Sequence, residues 1–202
     1  MAMRTLEESA LVTGAGELWR EGTTAKFLEG IGDGTLPPEA FERWLAQDYL
    51  FARGLTSFQA VMAAKAPRDA HGPLIGGLAA MHAEMSWFES HLADRGIDLQ
   101  ADAHPVYRRY VDFLIASAYS APFEVLCAIV YGVEVSYLAA WSALEAAGPY
   151  AEFIERWSSE PFTEYVRSLL ELCNRHPHRD QQAAFNQVLR HERDFWRMTW
   201  EG

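Results

Sequence analysis

The run from Phe123 to Trp141 constrains the fold more than any other stretch, because nearly everything in it around Glu134 is apolar or aromatic. At about 3.6 residues per turn, a helix brings Tyr131, Glu134, Tyr137 and Trp141 onto one face, since side chains three and four apart are neighbours. An acid then sits inside an aromatic stripe. A carboxylate in such surroundings is costly unless it is hydrogen-bonded, paired or protonated, and desolvation should raise its pKa. That is the setting of a working acid or base. The alternative is that Glu134 reaches solvent at the edge of the stripe or pairs structurally with an arginine.

Two further acids have comparable surroundings. A helix from about Glu39 to Ala64 spaces Phe41, Trp44, Leu45, Asp48, Phe51, Leu55, Phe58 and Val61 as a core helix does, with Asp48 on the apolar side. A helix-to-helix hydrogen bond is the structural alternative there. The last helix, ending near Trp200, carries Phe185, Val188, Leu189, Glu192, Phe195, Trp196 and Met198, so Glu192 is a third acid on an aromatic face.

The rest of the chain also reads as helix. A first helix from Thr5 to about Glu29 is broken by Gly14, Gly16 and Gly22, and Gly30 to Glu39 forms a tight turn with Thr35 as a candidate cap. A helix from about Ala70 to Arg95 places Leu74, Leu78, Met81, Met85, Phe88 and Leu92 inside. Pro105 opens another that ends near Ser120, and the Phe123 helix continues to Ala146 before the stop Ala147-Gly148-Pro149. One more runs from Tyr150 to Leu172, open to interruption at Pro161. No segment alternates apolar and polar residues as a half-buried strand does. The expectation is an all-α fold, a single-domain helical bundle of about seven helices spanning 1–202.

Several function classes are disfavoured. The net charge is -11, and only Lys26 and Lys65 among the 17 basic residues are lysines, a surface that repels phosphate backbones; no nucleic-acid partner is expected. The glycines at 30, 32 and 34 follow no strand and lack a Gly-Lys-Ser/Thr ending, so they do not cradle phosphate. His82, Glu84, Glu89 and His91 lack the Glu-x-x-His spacing of a helical metal site, and no metal or cofactor is expected. Cys127 and Cys173 form no CxxC pair and fit buried thiols in a reducing compartment. With no leader pattern and no uninterrupted apolar stretch long enough to cross a bilayer, the expectation is a cytoplasmic protein without a membrane partner.

A bundle that points Asp48, Glu134 and Glu192 inward makes a small aromatic-walled pocket with convergent carboxylates, suited to a flat basic heterocycle. At this point a family resemblance enters. Phe27-Leu28-Glu29-Gly30-Ile31-Gly32-Asp33-Gly34-Thr35-Leu36-Pro37, then Phe41 and Gln47-Asp48-Tyr49, then Pro105 to Tyr110, and finally Glu192-Arg193-Asp194-Phe195-Trp196-Arg197-Met198 resemble the motifs of the TenA or thiaminase II family. The resemblance covers almost the whole chain. It implies a haem-oxygenase-like helical fold, hydrolysis of aminopyrimidines derived from thiamin, and a homotetramer. It also implies pyrimidine binding by Asp48, Phe51, Tyr110, Tyr137 and Trp157, with Glu192 as the terminal catalytic glutamate.

One departure from the family pattern is informative. Four residues before Tyr137, where the better-known branch has a nucleophilic cysteine, stands Val133, and Cys127 lies about two turns before Glu134. The chain resembles the cysteine-less branch, in which a glutamate here matching Glu134 enters the pocket. That implies aminopyrimidine aminohydrolase or amidohydrolase chemistry in place of classical thiaminase activity. A regulatory, pyrimidine-binding role is the alternative from another class, and the acidic surface argues against its acting on DNA.

Overall fold

The computed structural model describes residues 6–202. Thr5, where the first expected helix begins, lies outside them. Among the described residues there are helices and no strands, as the sequence leads one to expect. The chain divides into two compact units, one formed by the residues up to Leu36 together with Glu124–Trp200, the other by Pro37–Phe123 with Glu201–Gly202.

The second unit contains α4 (Pro38–Lys65), α5 (His71–Asp94) and α6 (Pro105–Ser120), the first helices in the chain being α1 to α3. Pro38 occupies the first turn of α4, where its missing N–H costs nothing, and Ala66, extended before Pro67, ends the helix. α4 and α6 run in the same direction: Tyr107 donates its hydroxyl to the Leu50 carbonyl (3.1 Å), Phe51 meets Tyr110, and Gly54 faces Val111. Trp44, fully buried, packs on Phe41 and on Phe88 of α5. α5 is less enclosed than its sequence suggests. Leu74, Phe88 and Leu92 are buried, but Leu78, Met81 and Met85 are only half-buried and Ile75 is 59% exposed. The first half of the helix, His71–Met81, has apolar or small residues all round, more than the described contacts bury.

In the first unit, α1 (Ala10–Ala15), α2 (Glu17–Thr23) and α3 (Lys26–Asp33) replace the single broken helix expected there. Gly16, at φ 58°, serves as the joint between α1 and α2. α3 continues through Gly30 and Gly32, which the sequence reading had placed in a turn. The reason is packing: Leu36 folds back to donate its N–H to the Gly30 carbonyl (2.9 Å), and a Cβ at Gly30 would stand 3.1 Å from the Leu36 Cα. Asp33 then closes the turn by accepting from the Thr35 N–H and hydroxyl, so Thr35 is not the cap of α4.

The unit is completed by α7 (Phe123–Ser142), α8 (Ala151–Trp157), α9 (Glu160–Arg175) and α10 (Gln181–Glu201). α7 stops four residues short of the expected Ala146, and the break between α8 and α9 falls at Ser158 and Ser159, with Pro161 in the first turn of α9. By length and composition α7 could cross a membrane, although Glu124 and Glu134 interrupt its apolar run, but most of it is buried inside the protein, as in a core helix. The Gln181 amide lies within hydrogen-bond distance of the Glu124, Cys173 and His176 carbonyls (3.0, 3.3 and 3.0 Å), joining the start of α10 to α7 and to the end of α9.

The contact between α4 and α6 generates a stability prediction. A Cβ at Gly54 would lie 2.7 and 2.8 Å from the two Val111 methyl groups, and valine has little rotamer freedom with which to yield. Overpacking costs about 1–3 kcal/mol, against about 1 kcal/mol gained by replacing a mid-helix glycine with alanine. Gly54→Ala is expected to lower Tm by several degrees, at about 2–4 °C per kcal/mol for a chain of this size. A thermal melt with Tm at or above the parent's would contradict it.

Candidate active site

Two of the three acids lie in the first unit, on helices that touch. α7 and α10 run in the same direction: Tyr131 stacks on Phe185 (5.9 Å between centroids), Gly132 meets Phe185 and Val188, and further along Tyr137 stacks on Trp196 (5.8 Å, 12° between planes). Glu134 precedes Tyr137 by three residues and Glu192 precedes Trp196 by four. Each glutamate is therefore one turn before its own member of the stacked pair, between that stack and the Gly132 contact. Both are buried, Glu134 at 6% exposure and Glu192 at 3%.

Four rings cluster at the level of the Tyr137–Trp196 stack. Tyr137 meets Trp157 edge-on (5.3 Å, 80°), Trp157 lies against Trp141 (5.0 Å), and Trp141 meets Trp196 (6.5 Å). Trp141, Trp157 and Trp196 are buried, while Tyr137 is partly open. The structure thus joins two of the predicted site residues, Tyr137 and Trp157, directly, and places Glu134 and Glu192 one turn before the Tyr137–Trp196 stack on its two helices. Tyr131, expected on the Glu134 face, is tied by its hydroxyl to the N-terminal segment. Its hydroxyl is 3.0 Å from the Ser9 hydroxyl and donates to the Leu6 carbonyl (3.2 Å). Burial pushes its phenol pKa up, so it stays a neutral anchor of the N-terminal segment.

Asp48, Phe51 and Tyr110 belong to the second unit. Asp48 is 6% exposed on α4, and Phe51 and Tyr110 form a tilted pair 4.7 Å apart. Sequence reasoning gave no task to Gln47, which the structure shows to be a clamp. Its amide donates to the Asp102 carbonyl (3.0 Å) and accepts from the His104 N–H (2.9 Å). His104 in turn caps α6 by accepting from the Val106 N–H. The loop that delivers Tyr110 is therefore pinned beside Asp48. The polar side chain of Gln47 beside the aromatic positions of α4 was the only hint, and it does not name the partners.

No group of histidine, cysteine, aspartate or glutamate suited to a metal is present among the described residues. Glu89, one of the metal candidates considered, accepts instead from the Tyr49 hydroxyl (3.0 Å).

The TENA/THI-4/PQQC family matches residues 15–202. The chain belongs to this family. It is similar to the "Probable bifunctional TENA-E protein" of Glycine max, 29% identical over 90% of this chain and 88% of the relative. It also resembles the "Thiamine biosynthesis multifunctional protein ThiED" of Corynebacterium efficiens, at 27% identity over 76% of this chain but only 22% of that longer protein. Among solved structures, a TenA homologue from Pyrococcus furiosus superposes with a TM-score of 0.88 at 28% identity, covering 99% of this chain and 100% of that one. A TenA family transcription regulator from Silicibacter also reaches 0.88, at 20% identity over 100% of this chain and 97% of that one, which speaks for the fold alone.

Val133, four residues before Tyr137, is 4% exposed. Cys127 is a poor nucleophile on chemical grounds as well as by position. It is fully buried, and desolvation, with the Glu124 charge adding to it, pushes its thiol up to about 12. At pH 8 such a thiol is almost wholly protonated, and the thiolate is the nucleophile. Cys173 is shifted the same way by burial. Folded protein at pH 8 is expected to resist iodoacetamide at both cysteines, while denatured protein reacts at both. Rapid alkylation of Cys127 in the folded chain, read by mass spectrometry, would contradict this.

Proposed function

We propose that this TenA family protein is a hydrolase of the thiamin-related, cysteine-less type, acting on an aminomethyl- or formylaminomethyl-pyrimidine derived from thiamin. The observation that carries the reading is the placement of Glu134 and Glu192, two buried acids on touching helices, each one turn before the stacked Tyr137 and Trp196. The names of the Glycine max and Corynebacterium efficiens relatives support a role in thiamin metabolism.

In this reading Asp48 binds the ring nitrogen and exocyclic amine, with Phe51, Tyr110, Tyr137 and Trp157 supplying aromatic contacts. Glu134, ionised, takes a proton from water as the water oxygen bonds to the carbon bearing nitrogen. Glu192, protonated, gives its proton to that nitrogen as the C–N bond breaks. An aminomethyl substrate yields the hydroxymethyl pyrimidine and ammonia; a formylaminomethyl substrate yields formate and the aminomethyl pyrimidine. Acid and base functions of this kind contribute about 10²–10⁴-fold each, provided the two pKa values are held apart.

The proposal extends to a homotetramer. What supports it is the uncharged exposed stretch of α5 with Gly72, Ile75, Gly76 and Ala79, on a chain of net charge -11. Light scattering of the purified protein separates tetramer from monomer.

The activity is tested by incubation with thiamin, the aminomethyl pyrimidine and its formyl derivative, with chromatographic detection of each product. At least one of the two aminopyrimidines is expected to be consumed much faster than thiamin. If neither is consumed, the reading fails. Asp48→Asn is expected to raise KM for the consumed substrate about 10- to 100-fold, the loss of one charged hydrogen bond of about 1.5–3 kcal/mol, with little effect on kcat. A fall in kcat at unchanged KM would remove Asp48 from the binding role.

A further inference from the structure

The short helix α2 is tied to α10 by four separate contacts. Trp19 stacks on Phe185 (6.4 Å, 16°), and Arg193 pairs with Glu21 (3.2 Å). Gly22 approaches so closely that a Cβ would stand 3.2 Å from the Leu189 carbonyl oxygen. The Gly22 carbonyl also accepts the indole N–H of Trp196 at 3.2 Å, in a buried hydrogen bond. A directional bond at the rim of the indole fixes the rotation of its plane, which stacking alone leaves free to slide. That plane carries Tyr137 at 12° and 5.8 Å, and Phe27 at 29° and 5.7 Å.

Of the four rings Tyr137, Trp141, Trp157 and Trp196, only Tyr137 is partly open to solvent. It is therefore the member that a small molecule can reach, and Trp196 is the buried face behind it. We infer that Trp196 is a positioning residue, and that the latch of α2 on α10 through Gly22 sets the plane of the Tyr137 ring against which the aminopyrimidine binds. This rests on the functional reading above. Trp196 touches no reacting atom; it acts through Tyr137.

The test is steady-state kinetics of Trp196→Phe with the aminopyrimidine that the parent consumes, run well below the variant's own Tm. Phenylalanine keeps an aromatic face but leaves the Gly22 carbonyl without its donor. KM is expected to rise about tenfold, the scale of one buried hydrogen bond lost, with kcat within about threefold of the parent's. In a Tyr137→Ala background, the same substitution is expected to change KM by less than about twofold, because the residue through which it acts is gone. Gly22→Ala, which moves α2 without altering the indole, should raise KM in the same direction and carries the test if Trp196→Phe does not fold. A merely structural role lowers Tm and leaves KM unmoved. Unchanged KM in the folded variants overturns the inference while leaving the parent's activity as evidence for the functional reading. An undiminished effect in the Tyr137→Ala background overturns it as well. A parent that consumes no aminopyrimidine overturns both.

Discussion

The close approach of α7 and α10 is the contact on which the candidate site depends. At Gly132 a single methyl group would stand 3.2 Å from both Phe185 and Val188, so even an alanine would need its neighbours to give by a few tenths of an ångström. Two helices that meet so tightly at one point and stack rings at another, Tyr137 on Trp196, have little freedom to slide or rotate against each other. The glutamates between these two contacts inherit that rigidity. A catalytic pair needs it, because proton transfer depends on reach of a few ångströms and misplacement by one is costly.

Rigidity here is supplied by apolar material around charged groups, which is an energetic tension. Burying a carboxylate disfavours its ionised form, whereas the indole and phenol rings one turn along from Glu134 and Glu192 stabilise the fold through area removed from water and through ring pairs of about 0.5–1.5 kcal/mol each. A core built only for stability would place leucine at 134 and 192. Acids kept at 6% and 3% exposure are a local contradiction of otherwise consistent patterning, and such contradictions mark function. Cys127, buried without contradiction, is pushed up to about 12 and reads as an inert core thiol.

The helical class was legible because apolar spacing at three and four residues runs through nearly the whole chain, and α7 stood out as its most apolar run. Asp48, Glu134 and Glu192 could be picked out for the same reason: an acid within an aromatic stripe breaks a pattern visible in one dimension. What stayed hidden depends on partners distant in sequence. Gly30 reads as a helix breaker until Leu36 folds onto it, and nothing in the Phe123 helix shows that the Tyr131 hydroxyl is held by Leu6 and Ser9. Gln47 carries no local sign that its amide holds residues 102 and 104. The exposed side of α5 was read as core because apolar composition specifies a covered face without saying what covers it. Nothing near Gly22 in the sequence announces that its carbonyl receives Trp196.

The central claim is that Glu134 and Glu192 divide acid and base work between them. The most direct measurement is the pH–rate profile of the parent beside Glu134→Gln, Glu192→Gln and the double variant, since glutamine keeps the size and removes the titration. The account predicts a bell for the parent, loss of the acidic limb in Glu134→Gln and of the alkaline limb in Glu192→Gln. Each variant should lose at least about 10²-fold in kcat, and the double variant little more than the worse single. A Glu134→Gln profile unchanged in height and shape would make Glu134 a packing residue and contradict the account.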